Sequence, residues 1–389
     1  GPAPKKPLTR KNLHYDWHWM YDYGNGDLGN QGVHEMDIAR WFLGQAAVSP
    51  RVISIGGRLG YDDDGQTPNT QLVYHAYPGA PLVFEVRGLP KSKEFQAAGQ
   101  WGQNMDTLDG FSRGRGVGVL VACEGGQLAV VEGGESLVAV DREGKTIRRF
   151  DQTHPQFGRG WSKGDNFHFR NWLEAIRSRN AAHLTAEALE GHLSAALCHL
   201  GMISHRLGQR LPASGIRGQV EVPLLLAERF ASFCDHLSRN GIDLEQTHAT
   251  LGPWPDMDPA QERFLDNPAA NALITRPYRV PFVVQDVEVV ELQAAAGVER
   301  LLRDAVEPLD PADLARGRLN SRHAPRRAGE DQLGPAARRL EQARCPVGGK
   351  GRGPVDLPLR AACLPVQRNP KALARRLGRI AVAGHQARV

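Results

Sequence analysis

The sequence predicts an α+β fold: an open, mainly antiparallel sheet with helices packed on one of its faces. Three observations lead there. Seven short strand-like segments lie between residues 51 and 150, joined by turn residues. Their close spacing leaves no helices between them, and parallel neighbours would need long crossovers. Two later stretches carry apolar residues at helical spacing, so helices are available to cover a sheet face.

In chain order, residues 14–23 are aromatic and punctuated by polar side chains, and Gly24-Asn25-Gly26-Asp27 reads as a turn. Residues 31–43 place Val33, Met36, Ile38, Ala39, Phe42 and Leu43 mostly at helical spacing, with Gly44 as C-cap. Strands are expected at 51–55, 70–76, 82–87, 118–123, 128–131, 137–140 and 146–150. Links such as Asp63-Asp64-Gly65, Tyr77-Pro78-Gly79 and Glu124-Gly125-Gly126 have hairpin chemistry. A helix over 165–179 puts Phe169, Trp172, Leu173 and Ile176 on one face. A second over 186–207 has Thr185 as N-cap and the stripe Leu189, Leu193, Ala196, Leu197, Leu200 and Ile203. A third is expected over 224–237.

The 389 residues suffice for two domains, and the chain is 41% apolar and 23% charged, ordinary values for a globular protein. All 26 aromatic residues lie at or before Phe282. We therefore expect a globular body over 1–286 and a basic, aromatic-free tail over 287–389. A disordered extension, a few helices (298–306 and 371–380) and translation of a GC-rich gene in a shifted frame would each give that composition, and no function is assigned to it. The net charge of +5 is unevenly spread: residues 332–389 carry +10 and the rest −5. A mildly acidic body argues against a nucleic-acid partner. No apolar run approaches a membrane span. Five unpaired-looking cysteines, none in a CxxC, argue against a disulfide framework or zinc site. No metal site is read: Asp62–Asp64 lacks the alternation of a calcium loop, and His192, His199 and His205 do not share a helix face. No phosphate-binding turn is found either. Gly114-Arg115-Gly116-Val117-Gly118 has the wrong spacing and leads into a strand.

One stretch carries chemistry, Gly24 to Leu43. It is a turn, a glycine-flanked polar pair and a helix entered through His34. Asn30 and His34 are four apart, so they share one face if the helix has already begun at Asn30. Gly29 and Gly32 permit close approach. Asp37, nearly one turn on, is placed to orient the imidazole. The aromatics Tyr15, Trp17, Trp19 and Tyr23 suit either a core or stacking on a carbohydrate.

This stretch resembles the catalytic segment of the glucose–fructose oxidoreductase / inositol dehydrogenase (Gfo/Idh/MocA) family. So do the 14–27 aromatic run, the loop Asp62 to Thr70, the helix around Phe167 to Ile176, and Asn267 to Leu273 with Tyr278 to Phe282. The resemblance points to one bacterial branch, covers about residues 1–286, and implies the family's C-terminal domain without its dinucleotide-binding N-terminal domain. The expectation is thus a piece of a longer product. The resemblance gives His34 the role of acid/base beside the nicotinamide of NAD or NADP. It aligns Asn30 with the family's carboxylate, and an amide cannot relay a proton.

The expected function is the substrate-binding and catalytic-histidine portion of an NAD(P)-dependent oxidoreductase acting on a sugar, polyol or related hydroxy compound. Asn30, Asp27, Trp17, His18, Thr67 and Asn69 would hold the substrate, and copies would pair through the sheet's exposed face. The alternatives are a glycosidase or lyase working by transient oxidation, and a fragment that catalyses nothing.

Overall fold

The computed structural model describes residues 2–7, 9, 10, 12–100, 117–131, 136–150, 167–283 and 380–385. All the described residues belong to one compact unit, which comprises Gly1–Val283 and Gln367–Val389. The helices in chain order are α1 (Leu13–Asp16), α2 (Gly26–Asn30), α3 (Gly32–Leu43), α4 (Lys93–Ala97), α5 (Phe167–Ser178), α6 (Ala188–Arg206), α7 (Ala213–Arg217), α8 (Leu224–Arg239), α9 (Leu244–Thr247) and α10 (Pro268–Ala272). The predicted strands correspond to β1 (Val52–Gly57), β2 (Thr70–His75), β3 (Leu82–Arg87), β4 (Gly118–Cys123), β5 (Gly126–Val131), β6 (Ser136–Asp141) and β7 (Thr146–Phe150). Short strands β8 (Gln209–Leu211), β9 (Ala249–Leu251), β10 (Met257–Asp258) and β11 (Arg263–Phe264) follow, and β12 (Ile380–His385) closes the set. Of the expected 287–389 tail, only β12 is described; the remainder lies outside the described residues.

Ten strands form one sheet in the order β7-β6-β5-β4-β12-β3-β2-β1-β9-β8. Every neighbouring pair is antiparallel except β12 with β3. The fold is therefore α+β with a mainly antiparallel sheet. Side chains alternate across it, as the pleat requires. Val52, Val73, Leu82, Phe84 and Val86 pack with Met36 and Ala39 of α3 and with Leu193, Leu197 and Leu200 of α6. On the opposite face Ile53, Ile55, Leu72, Tyr74 and Val83 pack with Leu226, Phe230, Phe233 and Leu237 of α8.

Helices thus lie on both faces at the β1–β3 end, not on one as expected. The physical reason is visible in burial: β2 and β3 are buried at every position, and such strands need cover on both sides. Toward β7, where four of five residues are exposed, the cover thins.

Helix boundaries follow local chemistry. Gly44 caps α3 in the left-handed region at φ 63°, its N–H on the carbonyls of Arg40 and Trp41. Gly32 lets α3 approach β3, because a Cβ there would stand 2.9 Å from the Phe84 ring. The N-cap of α6 is Glu187, whose carboxylate accepts from the Leu189 N–H at 2.8 Å. Thr185, expected in that place, instead donates from its N–H and hydroxyl to the Asn171 side chain. The acid at 187 wins because it stands directly before the first helical residue, where a carboxylate also meets the positive end of the helix dipole.

Candidate functional site

The aromatic segment, α2 and α6 enclose a cleft of about 280 Å³, close to the lower end of the range for small-molecule sites. Its floor and walls are built locally. Trp17 stacks on His18, ring centroids 3.9 Å apart and planes 18° from parallel. His18 is held in turn by a hydrogen bond between Nδ1 and the Tyr15 carbonyl. Arg10 lies over the Trp19 ring and Arg206 over Tyr21, so flanking cations brace the aromatic run. Gly26, at φ 62°, lets the turn settle onto Thr67, since a Cβ there would sit 2.4 Å from the threonine hydroxyl.

The structure brings Trp17, His18 and Asn30 together in the cleft wall, beside Asn25, His199 and Arg276. Gln31 between α2 and α3 keeps right-handed helical angles, φ −92° and ψ −38°. Right-handed backbone therefore runs through the junction from α2 into α3. Asn30 and His34 are both exposed. Among the described residues the His34 imidazole has no hydrogen-bond partner, and it stands outside the cleft lining.

Four other expected site residues have different work. Asp37 does not orient His34: its Oδ1 accepts from the Ser194 hydroxyl at 2.6 Å and from Arg40 at 3.4 Å. Arg40, only 2% exposed, also bonds Glu190, so this group of charges ties α3 to α6. The reason is positional: three residues beyond His34, Asp37 meets the buried guanidinium that has to be neutralised. Asn69 is buried and clamps the backbone of Leu59, accepting from its N–H at 2.9 Å and donating to its carbonyl at 2.8 Å. Thr67 is buried beneath Gly26, and its N–H donates to the Trp19 carbonyl. Asp27 is buried in α2, within electrostatic range of Arg58 and Tyr61. The loop from Asp62 to Thr70 is accordingly a brace: Arg58 holds Asp63, and Gln66 bonds the backbone of both Trp19 and Tyr21.

Two cleft residues were not expected at the site from the sequence: His199 was considered only as a metal ligand, and Arg276 was given no role. His199 is on the α2-facing side of α6, and Ala195 and Cys198 on the turn before it line the cleft with it. Its Nδ1 is 2.8 Å from the Asn25 amide nitrogen. That nitrogen is a donor, so the imidazole proton resides on Nε2. Desolvation in the cleft wall, then the cations Arg276 and His192, lower its pKa. Arg276 follows α10 and donates to the Asp22 carbonyl at 2.7 Å. Nothing in its local sequence marks it. Behind the wall, Glu35 is buried and its pKa is pushed up to about 7 by desolvation, outweighing the Gln31 hydrogen bond. Burial likewise pushes the Cys198 thiol up to about 12, so it is no nucleophile at neutral pH.

Among the described residues no group of three or more His, Cys, Asp or Glu side chains could hold a metal ion. No helix among them is long and apolar enough to cross a membrane. Among the described residues no glycine-rich turn opens a helix after a strand, and the cleft has the size of a single ring system.

No curated protein matches this chain. Residues 1–101 match the family model GFO_IDH_MocA_C2, described as "Oxidoreductase family, C-terminal alpha/beta domain". That span holds the aromatic run, α2, α3, β1 to β3 and the bracing loop, while His199 and Arg276 lie beyond it. Over its first 101 residues this chain is similar to the C-terminal alpha/beta domain of the Gfo/Idh/MocA oxidoreductases.

Proposed function

We propose that the chain is the substrate-recognising part of an oxidoreductase and holds a sugar, polyol or related hydroxylated compound in the cleft between α2 and α6. The observation that carries this reading is the Trp17–His18 stack at 3.9 Å beside the amides of Asn25 and Asn30 and the imidazole of His199. An aromatic face suits the C–H face of a ring, and the amides and imidazole suit its hydroxyls. His34 is the acid/base in this reading. Its imidazole is exposed, has no protein partner among the described residues, and follows Val33 of the cleft wall. Asn30 stands where the family has a carboxylate and serves as a hydrogen-bonding group, since an amide relays no proton.

NAD or NADP is the hydride carrier that the resemblance implies. The described residues provide no cradle for its pyrophosphate, so the proposal stops at recognition and proton handling. That same lack favours a second reading, a chain that binds its ligand without turning it over. Pairing of copies through the open β4–β7 part of the sheet belongs to the first reading.

Calorimetric titration of the full chain with glucose, sorbitol and myo-inositol tests the site. Saturable binding of at least one is expected, with a Kd of about a millimolar, and Trp17→Ala should abolish it. Absence of a saturable response to all three overturns the reading.

A further inference from the structure

We propose that the compound bound in this cleft carries an anionic group, a carboxylate or a phosphate, that pairs with Arg276. This rests on the cleft being the substrate site and names the class of substrate within it. Arg276 lines the cleft, yet its only bond among the described residues is to a neutral acceptor, the Asp22 carbonyl at 2.7 Å. No Asp or Glu is among the lining residues. By contrast Arg10, Arg40, Arg51 and Arg58 each end on a carboxylate.

The nearby acids are committed elsewhere. Asp22 pairs with Lys6, Asp16 with Arg10, and Glu262 with His192. Asp27 is buried within electrostatic range of Arg58 and Tyr61. The remaining polar groups of the wall add donors rather than negative charge. The Asn25 amide occupies Nδ1 of His199 and leaves Nε2 as an N–H donor. The Asn30 amide has no protein partner among the described residues. A guanidinium with spare N–H groups, an imidazole N–H and an amide match a carboxylate or phosphate, and Arg presents its donors in the fork that suits both. A neutral sugar would leave that fork facing only hydroxyls and water.

The test compares glucose, glucuronate and glucose 6-phosphate by calorimetry on the full chain. At least one of the two acids should bind about tenfold more tightly than glucose, as expected for a charge-assisted pair. The tighter of the two identifies the anion. Arg276→Gln should bring that ratio to within about twofold. The wild-type ratio should also shrink in about 1 M salt, where charges are screened within about 3 Å; this needs no variant. Equal affinity of all three compounds, or a ratio indifferent to both salt and Arg276, overturns the proposal and leaves the cleft as a neutral sugar site. No binding by any of the three overturns the site itself.

Discussion

Helices α5 and α6 are written in the same pattern and end in opposite surroundings. Each carries an apolar stripe at helical spacing. In α6 that stripe is the centre of a core: Leu193, Leu197, Leu200 and Ile203 are buried against β1, β2 and α3. In α5 the corresponding residues, Phe169, Trp172, Leu173 and Ile176, are 63%, 51%, 41% and 44% exposed. The main neighbour of α5 is the short turn Ala181–His183. Periodicity therefore says that a helix has a face to bury and says nothing of what buries it. Packing against a sheet, not the stripe, supplies the stabilisation.

The comparison breaks most easily at Leu197. It is fully buried, and truncation to Ala removes its transfer free energy and leaves a cavity between α6 and the sheet. Leu197→Ala should cost about 2–5 kcal/mol in urea unfolding. A cost below about 1 kcal/mol would mean that α6 is no more embedded than α5.

The same contrast decides what was legible beforehand. All seven strands between residues 51 and 150 were readable, because hairpin turns and apolar runs are local signals. The two-sided cover was not. It depends on α8, about 150 residues beyond β2, reaching the face opposite α6. At the site, the helix that carries His34 was readable from its apolar spacing, and α3 occupies that stretch. Asp37, expected to orient His34, and Thr67 and Asn69, expected to hold a ligand, have other partners in the structure for one reason. A polar residue in a motif has two claimants, the ligand and the protein's own buried groups, and here Arg40, the Leu59 backbone and the turn at Gly26 claim them. Arg276 reaches the cleft from more than 240 residues beyond Asn30, a contact no local pattern announces.

Desolvated ionisable groups sharpen the contrast at intermediate size. The packed end holds Glu35, raised to about 7 by burial, and His75, lowered to about 3 by burial. Their signs oppose. Glu35 binds its proton more tightly folded than unfolded, so its contribution is complete below about pH 4.5 and is lost as pH rises through 7. His75 behaves the other way, contributing above pH 6.5 and losing that as pH falls toward 3. Glu35→Gln removes the first and keeps the second. The stability of the variant relative to wild type should therefore increase steadily between pH 4.5 and 7 and be flat outside that window. A difference independent of pH would show that Glu35 is as solvated as a surface carboxylate.

The smallest effect belongs to α5. Phe169 is 63% exposed, so little apolar area is withdrawn from water there and little can be lost. Phe169→Ser should change the unfolding free energy by no more than about 0.5 kcal/mol, the usual range for surface substitutions. Serine and phenylalanine have about the same helix propensity, so the change of residue adds little of its own, and Phe169→Ala should lie within the same limits. Set beside Leu197→Ala, the pair measures how much of an amphipathic stripe is worth anything before it meets a surface. A cost above about 2 kcal/mol at Phe169 would mean that α5 is covered in solution by something its stripe was made to meet.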